Sequence, residues 1–263
     1  MNDALGVLVA ILLIATNAFF VAAEFSLISA RRDRLEALAE QGRASAVTVI
    51  RAGEPWGGAA SGPAAATGAG GDADLAALVQ DHPGARVGFR PDAGCDLARA
   101  VGLRDPATGS TELPLDALDL GAAGLAVNLV VSGEPPERHT AWRRRRAVTV
   151  EVGERTVFRG RALGVVIANG QFRHGRDLVP RGHPGDGRLE VQVYALPPSQ
   201  RRRFRARVAS GSHLPHPAIA TASGRAAQVT WRRPAPLEVD GRRRPRQAIV
   251  AAVVRPDAYR LLV

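Results

Sequence analysis

The sequence predicts an α+β protein in three parts: an N-terminal transmembrane helix, a truncated α/β unit, and a C-terminal half that reads as an antiparallel β-sandwich. Three observations predict it. An uncharged, mostly apolar run opens the chain. Helix, strand and helix signals follow one another between residues 72 and 103. From residue 119 onward, short apolar or alternating stretches are separated by Gly- and Pro-bearing turns. The expected boundaries are 1–46, 47–118 and 119–263.

Ala4–Ala23 is 20 residues without a charge, about the ~20 needed to cross a ~30 Å hydrocarbon core. Before it stand Asn2 and Asp3, whereas Arg31, Arg32, Arg34 and Arg43 follow. That asymmetry predicts a single-pass anchor with its N-terminus outside and the body in the cytoplasm. Val21-Ala22-Ala23 would suit a signal-peptide cleavage site. A positive n-region is absent, however, and helical periodicity continues through Leu27, Leu35 and Leu38. Asn17 and Glu24 share one face of this helix; Glu24 is either functional or solvated at the interface.

Composition narrows the function classes. All 35 Lys+Arg residues are Arg, and the net charge is +10. Aromatics are only 5%, too few to interleave with the arginines as a nucleic-acid surface would, so no nucleic-acid partner is expected. The single cysteine, Cys95, excludes an internal disulfide and a Cys-based zinc cluster. It reads as a small packed residue.

The interior elements follow in order. Residues 53–71 are dominated by Gly, Ala and Pro and read as a linker. Asp72–Val79 reads as a short helix, Ala85–Phe89 as a buried strand, and "GCDLARAVGL" from Gly94 as a second helix. "AVTVEV" and "RTVFRG" flank Gly153 as a hairpin. "ALGVVIANG" is a buried strand, "RLEVQVYAL" an alternating one, and "SQRRRFRARVA" a helix. "AAQVTW", "APLEV" and "QAIVAAVV" read as three further strands.

Two resemblances add to this reading. "NAFFVAAEFSLISARRDRLEALAEQG" resembles the opening of the cyclin-M and CorC-type membrane domain of hemolysin-related ion transporters, over about residues 1–46. Nothing later in the chain is long and apolar enough to supply that domain's remaining helices, which leaves the segment as an anchor or a transporter remnant. "GFRPDAGCDLARAVGL", "VVIANGQFRHGRDLVPRGHPGDGRLEVQVYAL" and "APLEVDGRRRP" together resemble the diacylglycerol kinase and sphingosine-kinase-like lipid kinases, whose fold is shared with NAD kinases. This second resemblance implies ATP and Mg²⁺ in a Gly-rich cleft, phosphoryl transfer to the hydroxyl of a membrane lipid, and a β-rich domain facing the nucleotide half.

Carried over residue by residue, the lipid-kinase resemblance assigns catalysis to Asp72 and Asp240. It assigns nucleotide binding to Gly70, Gly71, Gly94, Asp96, Arg99 and Asn169, and metal binding to Asp186. Asp119–Gly121, with Asn128 after them, match the strand leading into the second domain. Other positions depart. Ala73 and Asp74 stand where the family loop has Gly-Thr, and Arg242 stands where its acidic residue follows Asp-Gly. A counterpart of the family's Asn-Pro phosphate loop is missing before Gly70. These departures imply weak turnover or a pseudokinase that binds lipid or nucleotide. Plainer roles stand beside the assigned ones: a helix N-cap for Asp72, and Asp-Gly turns for Asp186 and Asp240. His213 and His216 lie three apart, a faint metal signal. Arg143–Arg146 would suit either an anionic lipid surface or a solvated loop.

Overall fold

The computed structural model describes residues 58–59, 62–103, 111–140, 142–209 and 211–263. The chain divides into two units, Met1–Trp56 and Gly57–Val263. The expected transmembrane helix lies outside the described residues, among which no helix is long and apolar enough to cross a membrane.

Part of the expected linker is a strand. After β1 (Gly58–Ala59), β2 (Ala66–Gly70) runs parallel to β3 (Arg86–Pro91). Its small residues allow close packing against the helix that follows, α1 (Asp72–Asp81). A Cβ on Gly68 would stand 3.0 Å from Leu78 Cδ2, so a Gly/Ala composition here marks a tight strand–helix contact. After α1 and β3 comes α2 (Asp96–Val101), which ends at Gly102 with φ 72° in the left-handed region.

The β-rich part grows from two long strands, β14 (Ala226–Val239) and β15 (Arg242–Leu262). "AAQVTW" and "APLEV", expected as separate strands, are the two halves of β14. Pro234 and Pro236 lack a backbone N–H, and the register with β15 shifts between Thr230 and Ala235 and again between Ala235 and Leu237. The break splits the sheet. Ala227–Trp231 pair with β7 (Arg146–Val152), whose other edge carries β8 (Arg155–Ala162). Leu237–Val239 pair instead with β6 (Leu129–Gly133), and the sheet continues through β9 (Gly164–Ala168), β12 (Leu189–Tyr194) and β13 (Ile219–Gly224). The indole N–H of Trp231 donates to Ser132 Oγ at 2.8 Å and fastens the branch point.

One hydrophobic cluster unites both branches, with Val148 and Val150 from one side and Val165, Ile167, Val191 and Val193 from the other. A second cluster lies under helix α3 (Arg201–Ala209), where Phe204 and Val208 meet Leu163, Tyr194 and Leu196. Strand β4 (Thr111–Asp119) and the short β5 (Leu125–Ala126) join the two layers, and β4 pairs along β15. The far end of β15 then pairs with β3: Arg260–Leu262 lie parallel to Arg86–Gly88. A strand of the C-terminal half therefore completes the α/β layer, across the boundary placed at 118/119.

Candidate functional site

Most of the residues assigned to catalysis and nucleotide binding gather where the α/β unit meets the β-rich part. α1 begins at Asp72, but the N-cap is Gly71, and the Asp72 carboxylate turns away from its own helix. One oxygen accepts the N–H of Leu97 at 2.9 Å, at the start of α2; the other accepts Asn128 Nδ2 at 2.6 Å. The N-cap role is thus corrected: Asp72 ties α1, α2 and the β-rich part together. Burial raises its pKa above the usual carboxylate range.

Asp240 sits at the β14–β15 turn with φ 47°, followed by Gly241 at 79°, so the Asp-Gly turn is real. It does more than turn the chain. Its carboxylate is buried and accepts three backbone N–H groups, Val127 at 2.7 Å, Asn128 at 3.1 Å and Leu129 at 2.9 Å. Three of a carboxylate's roughly four lone-pair sites are thereby used. Burial, reinforced by the nearby Asp72 charge and opposed by these donors, pushes its pKa up to about 7.

Asn128 is the hub that the sequence reading passed over as a mere strand marker. Its N–H donates to Asp240, its side-chain amide to Asp72 and to the carbonyl of Phe172, and its own carbonyl accepts the N–H groups of Asn169 and Gly170. A Cβ on Gly170 would come within 2.3 Å of Asn128 Oδ1, which explains the glycine. Asn169 is fully buried and donates to the carbonyls of Asp116 at 2.9 Å and Val127 at 2.8 Å. The readable signal for Asn128 was a single amide inside the apolar run "LAVNLVV".

Asp96, at the start of α2, closes the hairpin formed by β10 (Phe172–Arg173) and β11 (Arg176–Asp177). The turn residues His174 and Gly175 have φ 49° and 71°, and both N–H groups donate to Asp96, at 2.5 and 2.7 Å. Arg99 is exposed and lies beside Gly175. Behind the hairpin, the buried Arg173 bonds to Glu137 at 3.0 Å and to Glu238.

The glycine loop forms the rim. Gly70 has φ 131°, and a Cβ there would strike the Asp74 carboxylate at 2.4 Å. Asp74 folds back over the loop, accepts the Gly71 N–H at 3.1 Å and forms an ion pair with Arg242. Asp92 accepts the Gly94 N–H at 2.7 Å, and its carboxylate lies about 3.7 Å from where a Gly71 Cβ would stand. Two carboxylates therefore border the loop. Beside it opens a cleft of about 200 Å³, between Ala73, Ala76, Ala77 and Gln80 of α1 and Val239, Asp240, Arg242 and Arg244 of the β14–β15 hairpin.

Asp186 stands apart from the rim. Its carboxylate accepts the N–H of Arg188 at 2.9 Å in an Asp-Gly turn, and burial raises its pKa. The Gly187 N–H goes to Asp116 at 2.6 Å, and burial pushes Asp116 up to about 6. Among the described residues no three His, Cys, Asp or Glu side chains gather to hold a metal ion. His213 is buried with Nε2 3.0 Å from the Leu178 carbonyl and packs edge-on to Phe204, a core role. The donors needed by a Mg²⁺-bound triphosphate are poorly offered at the loop: the Gly71 N–H is capped by Asp74, Asp74 and Asp92 border the glycines, and the metal candidate Asp186 holds a backbone N–H.

Comparison with known proteins places the fold. Residues 138–263 match the family model described as the YegS C-terminal NAD kinase beta sandwich-like domain. Residues 8–54 match the cyclin M transmembrane N-terminal domain. A solved diacylglycerol kinase from Bacillus anthracis str. Sterne superposes with a TM-score of 0.59 at 12% identity, covering 74% of this chain and 75% of that one. Another structure from the same organism reaches 0.61 at 11% identity over 74% and 76%. At such identity the likeness is one of fold: residues 57–263 carry a diacylglycerol-kinase-like fold with a sheet-rich core. Over 48 residues the chain is also 83% identical to uncharacterized proteins of two Mycobacterium tuberculosis strains, CDC 1551 / Oshkosh and H37Rv. That match spans 18% of this chain and 14% of the length of each relative.

Proposed function

We propose that residues 57–263 form a lipid-kinase-type domain whose transfer of phosphate from ATP to a lipid hydroxyl is strongly impaired, and that residues 1–46 anchor it in the membrane. The fold supports the reaction class, and the match to a membrane-domain family supports the anchor. One observation carries the impairment. Asp74 and Arg242, two of the departures from the lipid-kinase pattern, are ion-paired to each other beside the glycine loop. The pair takes up a loop N–H that would serve a phosphate, and it replaces an acid opposite that loop with a cation that cannot accept a proton.

Asp240 is the base candidate that remains. It lines the cleft, and a pKa near 7 suits a general base, but three backbone donors compete for its lone pairs. Loss of a dedicated base costs about 10²–10⁴-fold, and poor phosphate positioning adds to that. An anchor keeps such a domain at its substrate and offsets part of the loss through effective concentration.

The test is labelled ATP with diacylglycerol in mixed micelles, together with equilibrium nucleotide binding. Wild type is expected to turn over barely or not at all. The double variant Asp74→Thr/Arg242→Glu should gain activity, because it opens the loop N–H and restores an acid together. Robust wild-type turnover, lost in Asp240→Asn at unchanged fold, would overturn the impairment. Absence of nucleotide binding in both proteins would leave a lipid-binding module.

A further inference from the structure

One surface far in sequence from the glycine loop has its own chemistry. Trp142 is 91% exposed, more than any other large hydrophobic side chain among the described residues. It is followed by four arginines, Arg143–Arg146. Arg145 and Arg146 bend back onto the protein, donating to the carbonyls of Ala195 and Pro234. Arg143 is shared with Glu134 at 3.4 Å, whereas Arg144 is exposed.

Helix α3 lies beside this loop and is held to it by a buried arginine. Arg201 donates from Nη1 to the carbonyls of Thr140 at 2.8 Å and Arg143 at 2.6 Å, and from Nε to that of Leu196 at 3.1 Å. Phe204 stacks on His139, centroids 5.9 Å apart, just before the loop. Arg201, Phe204 and Val208 form the buried stripe of α3, which leaves Arg202, Arg203 and Arg205 exposed to water. Loop and helix are thus one braced piece, and the indole is held out by that bracing.

We propose that the Trp142 loop and the outer face of α3 form a docking surface for an anionic lipid bilayer. Charge complementarity selects this partner: Arg144, Arg202, Arg203 and Arg205 face solvent, and Glu134 is the carboxylate paired within the loop. The lone indole fits the same partner. Trp settles at the boundary of headgroups and hydrocarbon, where its ring is sheltered and its N–H stays hydrated. A single-stranded nucleic acid would be served by several stacking aromatics along a basic groove, and this surface has one. The proposal stands apart from phosphoryl transfer, because the surface is the same whether or not the cleft turns over ATP.

The experiment uses the full chain reconstituted in vesicles of phosphatidylcholine alone or with about 30 mol% phosphatidylglycerol, a content at which each basic residue near the surface contributes appreciably. The signal is the fluorescence of wild type minus that of Trp142→Phe, which isolates Trp142 from Trp56 and Trp231. With phosphatidylglycerol the difference spectrum should shift to the blue and be quenched by brominated lipid, and added salt should reverse both. Neutralising Arg202, Arg203 and Arg205 one at a time should lower the docking equilibrium constant roughly fivefold per arginine. Thermal melts should move little, since these three side chains are exposed and none has a hydrogen bond or ion pair among the described residues. Equal Trp142 signals in zwitterionic and anionic vesicles, or no effect of salt, would overturn the proposal. So would quenching by a polyuridine RNA in preference to anionic lipid, which would assign the surface to nucleic acid.

Discussion

The inner and outer layers of the candidate site are built on opposite principles. Inside, Asp72, Asn128, Asn169 and Asp240 are buried and bonded to one another or to backbone groups of other elements. Outside, Asp74 and Arg242 are 43% and 56% exposed and bonded mainly to each other. The inner residues are ones that the lipid-kinase resemblance singles out, and the outer pair stands at two of the positions where the sequence departs from it. The difference teaches that a residue a motif singles out can be held in place by the fold, independently of any chemistry at the rim. Polar residues that hold two layers together are demanded by the fold, because a buried carboxylate left without donors is costly. A solvated pair at the rim is under no such demand, and an exposed ion pair contributes only about 0–1 kcal/mol. The rim can change its chemistry while the interior stays as it is.

The sharpest way to break this contrast is to remove an inner carboxylate. Asp240→Ala leaves the N–H groups of Val127, Asn128 and Leu129 without their acceptor, and should cost about 3–5 kcal/mol in urea unfolding. Asp72→Ala should cost a comparable amount, because it strands Leu97 N–H and the Asn128 amide. If either variant unfolds at the wild-type midpoint, the inner layer is not what joins the two halves.

A second expectation concerns pH. The folded-state pKa of Asp240 is raised to about 7, against the usual carboxylate value of 3.8. Between those values the folded protein keeps a proton that the unfolded chain has lost, so this group's contribution is fully present below about pH 4 and is lost as pH rises through about 7. The slope is at most about 1.4 kcal/mol per pH unit. The stability advantage of wild type over Asp240→Asn should therefore shrink from pH 5 to pH 8 in parallel denaturation curves. An advantage that grows over that window would reverse the assignment.

The smallest effect belongs to the rim. Asp74→Ala and Arg242→Ala should each change unfolding free energy by less than about 1 kcal/mol, and the double variant should show little coupling. A coupling above 2 kcal/mol in the double-mutant cycle would make the outer pair structural and erase the contrast.

How much of this was legible depends on the kind of signal. The β7–β8 hairpin around Gly153 and helix α3 were readable because period two and the 201–204–208 stripe are local patterns. β2 was not, since Gly and Ala report flexibility in sequence and close packing in the fold, and only the neighbour Leu78 tells which. β14 looked like two strands because its prolines interrupt pairing without ending the strand. In the site, Asp72 and Asp240 were named from resemblance, but their partners lie 25, 56 and 111–113 residues away. No local pattern reports such distances. The Asp74–Arg242 pair, 168 residues apart, shows the same limit: each was visible as a departure, and neither pointed to the other.

Strand β15 has a consequence for how the chain is made. The edge of β3 at Arg86–Gly88 is covered by Arg260–Leu262, 174 residues downstream. At roughly 5–20 residues per second, a ribosome needs on the order of 10–35 s to deliver that partner. Over this interval a nascent layer of β2 and β3 would have its edge open, whereas β8 follows its partner β7 directly in the chain. An exposed strand edge is a template for pairing with another chain. The nascent protein is thus most vulnerable in its first-made half, and shelter by a chaperone matters there until translation reaches the end of β15.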